Sequence, residues 1–126
     1  MGETIRVLLV EDNDIYRESL EFLLDRYDGL EVVGAVALGG AAASACAALE
    51  ADVVVIDYRL PDVDGSEVAA ELRESCPRST MVFLSASAGP HEVAAAERSG
   101  VAFVRKDEGV DVLVGAVRAA AGRIGA

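Results

Sequence analysis

Tryptophan is absent, and aromatic residues make up only 5% of the chain. A stacking platform for single-stranded nucleic acid is not built from so few rings. Basic residues are scarce too: 11 Lys and Arg stand against 22 Asp and Glu, for a formal net charge of -11. Phosphate backbones and anionic lipid repel such a chain. There are two cysteines, Cys46 and Cys76. They are too few for a disulfide framework, and their spacing fits no zinc pattern. They read as small apolar packing residues in a reducing compartment. No apolar run approaches the roughly 20 residues of a membrane span. Met1-Gly2-Glu3-Thr4 does not open a signal peptide. The expectation is a cytoplasmic protein with no membrane partner.

What is present is apolar and periodic. Of 126 residues 52% are hydrophobic, much of that alanine, so disorder is excluded. A chain of this length buries roughly two-thirds of its unfolded surface and folds without a metal or disulfide staple. Apolar runs recur at Ile5–Val10, Glu31–Ala37, Asp52–Ile56, Met81–Leu84 and Val101–Val104. Val7-Leu8-Leu9-Val10 and Val53-Val54-Val55-Ile56 are continuous rather than alternating, the pattern of strands covered on both faces.

Helical segments fall between and after the runs. The last carries Val110, Leu113, Val114 and Val117 at i, i+3, i+4 and i+7. The first, about Asp14 to Tyr27, places Leu20, Leu23, Leu24 and Tyr27 together, with Asp14 as N-cap and Gly29 as stop. Gly39–Leu49 is alanine-rich, and Gly39-Gly40 reads as a flexible loop. The third segment opens on Asp64-Gly65-Ser66-Glu67, an acidic relative of the capping box, and stops before Pro77. The fourth is about Pro90–Ser99, ended by Gly100, and its neighbour His91 reads as a solvated surface residue. Residues 121–126 are expected to fray. Strand and helix repeated five times predict a single doubly wound (βα)5 domain of the α/β class over residues 1–126, core about 5–122. Its sheet is parallel, with helices on both faces.

In such a sheet the chemistry gathers at the carboxyl ends of the strands. Glu11-Asp12 closes the first run, Asp57 the third and Ser85 the fourth, and Lys106 follows the fifth. The first turn lacks G-x-G-x-x-G, and no P-loop occurs, so dinucleotide and nucleoside triphosphate sites are excluded. An acidic turn, Glu11-Asp12-Asn13-Asp14, suits a hard cation such as Mg2+ (or Mn2+) instead.

These residues resemble a known family. Val7-Leu8-Leu9-Val10-Glu11-Asp12, Val55-Ile56-Asp57-Tyr58-Arg59-Leu60-Pro61-Asp62-Val63-Asp64-Gly65, Phe83-Leu84-Ser85-Ala86 and Phe103-Val104-Arg105-Lys106 are similar to the CheY-like receiver domains of two-component response regulators. The resemblance implies strand order 2-1-3-4-5. It implies that Asp57 accepts a phosphoryl group from a sensor histidine kinase. Glu11, Asp12, Asp57 and the backbone carbonyl of Arg59 would hold Mg2+, and Lys106 would pair with the phosphoryl group. Ser85 and Phe103 would be the switch pair, and Arg59 and Ser87 would tune the phosphoryl lifetime. The surface of the fourth helix, fifth strand and fifth helix would change shape. Homodimers would use that surface or the first and fifth helices.

Asp107 follows Lys106 where many receivers have proline, and Phe103 replaces the more usual tyrosine. Lacking a hydroxyl, the Phe103 ring is expected to sit inward before phosphorylation. Lys106-Asp107 resembles receivers of the NarL/FixJ group, whose usual DNA-binding output domain is absent from these 126 residues. Arg59 could shield the phosphoryl group or lie in solvent. Two alternatives are a phosphorylation-independent interaction module and a Mg2+-dependent phosphatase with an Asp nucleophile. The latter usually has a second Asp two residues on, where this chain has Arg59.

Overall fold

The computed structural model describes residues 4–86 and 89–125, with side chains through residue 122. Five strands, β1 (Ile5–Val10), β2 (Leu30–Val36), β3 (Val53–Asp57), β4 (Thr80–Ser85) and β5 (Ala102–Arg105), form one parallel sheet in the order 2-1-3-4-5. The helices are α1 (Asp14–Asp25), α2 (Ala42–Leu49), α3 (Gly65–Ser75), α4 (Pro90–Ser99) and α5 (Val110–Gly125). The expected α/β architecture and strand order are both present. Among the described residues no helix is long and apolar enough to cross a membrane.

Strand parity divides the core in two. Val7 and Leu9 of β1 and Val53 and Val55 of β3 pack with Leu20 and Leu24 of α1 and Leu113, Val114 and Val117 of α5. Leu8, Val10, Val54 and Ile56 face the other way, onto Ala42 and Cys46 of α2, Val68, Ala69 and Leu72 of α3 and Ala96 of α4. Continuous apolar runs are therefore needed in β1 and β3, because both of their faces are covered. β1 and β2 slip by one residue between Val7 and Leu8, whose partners are Val32 and Gly34.

Local signals are corrected in several places. The N-cap of α1 is Asn13, whose Oδ1 accepts from the Tyr16 N–H at 2.8 Å; Asp14 is the first helical residue. The helix ends at Asp25, so Gly29 belongs to the following turn, with φ +82°. Asp64 caps α3 by position, but its side chain makes no capping bond. Gly39-Gly40 is not a flexible loop: a 3-10 turn over Gly39–Ala41 precedes α2. His91 lies in the first turn of α4 and is exposed, as expected. In the closing stretch α5 continues past Ala121 to Gly125.

Candidate functional site at the carboxyl edge of the sheet

The ends of β1, β3 and β5 bring their charged residues together. Glu11 is 2% exposed and Asp57 6% exposed, while Asp12 is open to solvent. One carboxylate oxygen from each lies within 4.8 Å of the other two. Glu11 follows Leu9 by two positions, Asp57 follows Val55 by two, and Lys106 follows Val104 by two. Leu9, Val55 and Val104 all belong to the α1/α5 face, so strand parity carries the three charged residues to that side.

The ammonium of Lys106 stands between the two buried acids, 2.8 Å from Glu11 Oε1 and 3.6 Å from Asp57 Oδ2. It also lies 4.3 Å from the centroid of the Tyr16 ring, a cation–π contact on its third side.

The loop after β3 is tightly held. The Arg59 N–H donates to Asp57 Oδ1 at 3.1 Å, and the Tyr58 N–H donates to the Leu84 carbonyl at 2.9 Å. Arg59 and Asp64 form an antiparallel bridge, and the Gly65 N–H donates to the Tyr58 carbonyl at 2.8 Å. A Cβ at position 65 would come within 2.8 Å of the Tyr58 Cα, so this loop closes only over glycine. Asp62 fastens the loop to the start of α2: its carboxylate accepts from the N–H groups of Gly39 and Gly40 at 3.0 and 2.9 Å. Those two bonds, Gly40 first, hold the Asp62 carboxyl below its ordinary pKa.

Burial and the crowding of like charge set the electrostatics. The Asp57 pKa is pushed up to about 6, first by burial and next by the charge of Glu11, with Asp12 adding to both. Lys106 and the Arg59 N–H oppose that rise. Burial alone would lower the Lys106 pKa, but the bond to Glu11 and the charges of Asp57 and Glu11 outweigh it and hold it above the usual lysine value. Three carboxylates face one ammonium. The donor set is all oxygen, and its excess negative charge matches a divalent cation, so these residues fit a hard metal ion such as Mg2+.

Ser85 and Phe103 lie on the neighbouring strands β4 and β5. Ser85 is 1% exposed at the end of β4, one residue beyond Leu84, the register partner of Asp57. Phe103 pairs in register with Phe83 and is half-buried, packed against the α2/α3/α4 side of the core. Ser87 lies outside the described residues. Arg59 lies largely in solvent, one of its two expected positions, with its guanidinium bound to Glu92 in the first turn of α4, Nε to Oε2 at 2.9 Å. Lys106 opens a 3-10 turn over Lys106–Glu108, braced by Arg105 Nε on Asp107 Oδ1 at 3.0 Å. Sequence patterns assign no role to Tyr16, Asp62 or Glu92. Tyr16 is within their reach, because it extends the Leu20/Leu24/Tyr27 stripe back by one turn toward the acidic end.

The comparisons agree with this geometry. The chain matches the family model of the response regulator receiver domain over residues 7–118. It belongs to the response regulator receiver domain family. It is 34% identical over 116 residues to the "Probable transcriptional regulatory protein NarL" of Mycobacterium tuberculosis, covering 91% of this chain and 54% of that one. It is 37% identical over 90 residues to a protein-glutamate methylesterase/protein-glutamine glutaminase of Anaeromyxobacter dehalogenans, covering 71% of this chain and 26% of the relative. Among solved structures, the signal receiver domain of NarL from Mycobacterium tuberculosis superposes with a TM-score of 0.88 at 32% identity, over 95% of this chain and 98% of that one. This receiver thus spans about half the length of a transcriptional relative and about a quarter of an enzymatic one.

Proposed function

We propose that this receiver accepts a phosphoryl group on Asp57 from the phosphohistidine of a sensor histidine kinase, in a reaction that needs Mg2+ or Mn2+. Glu11, Asp12, Asp57 and the Arg59 carbonyl would hold the cation. When bound, it would offset carboxylate repulsion and draw charge from the phosphoryl oxygens. An Asp57 oxygen attacks phosphorus, the P–N bond breaks, and the imidazole leaves with a proton. Lys106 balances charge on the transferring oxygens, the main demand of phosphoryl transfer. The observation that supports this reading most is the placement of the Lys106 ammonium between Glu11 and Asp57, beside three converging carboxylates.

The product would be read through Ser85. A hydroxyl bonded to the phosphoryl oxygens makes a contact that the unmodified protein lacks, which is what a two-state switch requires. Phe103 and the α4-β5-α5 surface would follow, and homodimerisation would use that surface or α1 and α5. Ser87 and Arg59 would set the lifetime of the aspartyl phosphate. The domain is taken as residues 1–126 with its core at about 5–122, working in the cytoplasm as a phosphoacceptor rather than as an enzyme with its own substrate. DNA would be reached only through an output domain outside these residues.

The test is intact mass after incubation with Mg2+ and acetyl phosphate. A labile phosphoryl adduct is expected, absent without the metal and absent from Asp57→Asn. An adduct that survives this substitution would assign the wrong acceptor.

A further inference from the structure

Among the described residues, four polar side chains are buried. Glu11, Asp57 and Ser85 belong to the site above. Glu92, 3% exposed in the first turn of α4, does not. Its carboxylate is folded back against Gly89, where a Cβ would collide with Oε1. Its Oε2 receives both Nε and Nη2 of Arg59. The arginine it holds starts from the loop whose N–H already bonds Asp57 Oδ1. That side chain is 72% exposed and extends from the acceptor loop to α4.

An arginine two residues beyond an acceptor carboxylate has a second natural partner. A phosphoryl group on Asp57 would present a dianion, and guanidinium binds such oxygens in a bidentate fork. Glu92 competes for the same fork with a carboxylate already desolvated and in place. The guanidinium is engaged elsewhere.

We propose that Glu92 is a positioning residue that withholds the Arg59 guanidinium from the phosphoryl group on Asp57 and so keeps that group open to water. The proposal rests on Asp57 being the phosphoacceptor. In hydrolysis a water oxygen attacks phosphorus, the bond from phosphorus to the Asp57 oxygen breaks, and inorganic phosphate leaves with the water's proton. A guanidinium clamped on the phosphoryl oxygens covers the approach of that water. Glu92, by holding the clamp aside, shortens the phosphoryl lifetime.

The experiment is a double-mutant cycle on the phosphorylated protein, with Glu92→Gln, Arg59→Ala and the double variant. Adduct decay is followed by intact mass, and thermal melting is measured alongside. Glu92→Gln should lengthen the adduct half-life roughly five- to tenfold, within the usual range of coupling between two sites. In the Arg59→Ala background the same substitution should change it less than about twofold. Removing Glu92 strands no buried charge, because Arg59 is exposed. Glu92→Ala, which introduces a strong helix former, gives the same reading should the glutamine variant fold poorly. A half-life unchanged or shortened by Glu92→Gln overturns the proposal, as does a lengthening that persists without Arg59. Failure of the wild-type protein to form any adduct overturns the phosphoacceptor reading and this proposal with it; an adduct whose lifetime ignores Glu92 overturns this proposal alone.

Discussion

The two faces of the sheet are built differently. On the α1/α5 side the buried residues are mostly Val and Leu, and the charged cluster of Glu11, Asp57 and Lys106 stands at their end. On the α2/α3/α4 side Ala42, Ala51, Ala69, Ala96 and Cys46 replace much of that bulk. That side also carries half-buried Tyr58 and Phe103, with Tyr58 set edge-on to Phe83 at 5.3 Å. Small residues and partly buried rings leave a face able to repack. Large interlocked side chains hold the other in place. The charged cluster stands at the end of the Val- and Leu-rich face, and the ring proposed to move stands on the face with more small residues.

The comparison breaks most visibly in stability. Leu113→Ala, on the α1/α5 side, should cost about 2–5 kcal/mol, because a tightly packed site collapses poorly around the void. Leu72→Ala, the same deletion on the other side, should cost about 2 kcal/mol, at the low end of that range, because small neighbours close in on the void. Urea unfolding of both variants measures the contrast, and equal costs would remove the claimed difference between the faces.

Next comes the charge cluster. Lys106→Ala should slow adduct formation from acetyl phosphate by about 10²–10³-fold, the usual effect of removing one group that stabilises the transferring charge. Its melting temperature should fall as well, because Glu11 and Asp57 lose the ammonium that offsets their buried charge. A large drop in melting temperature with normal adduct formation would make Lys106 a structural residue instead.

The smallest effect sharpens the electrostatic half of the comparison. Asp57 has a folded pKa of about 6, against an ordinary value of 3.8, so the folded protein holds this proton more tightly than the unfolded chain. Stability therefore falls as pH rises between those values, then levels off. Asp57→Asn does not titrate, so in metal-free buffer it should exceed wild type by about 1–3 kcal/mol at about pH 8. The advantage should shrink through about pH 6 and vanish near about pH 4. Chemical unfolding across that range is the measurement, and added Mg2+ should narrow the gap by stabilising the wild-type carboxylate.

Much of this arrangement is legible along the chain. The runs at β1 and β3, the α5 stripe and the Pro90–Ser99 helix are local patterns, and they match the observed elements to within a residue or two. The residues Glu11, Asp57, Ser85 and Lys106 are legible as strand-end residues for the same reason. The corrections fall where two neighbours compete for one task. Asn13 rather than Asp14 caps α1, and Asp64 caps α3 without its side chain. Gly39-Gly40 looks loose until Asp62, more than twenty positions later, takes its N–H groups.

Apolar continuity, helical spacing and the polar residue closing each strand are properties of adjacent positions, so the chain alone determined the five-fold alternation and the edge at which chemistry gathers. Which charges meet is a different kind of fact. Lys106 on Tyr16, Arg59 on Glu92 and Asp62 on the Gly39-Gly40 turn join residues that no local period relates. Only the folded sheet decided those pairs, because each contact depends on distance in space and leaves no repeat in the sequence.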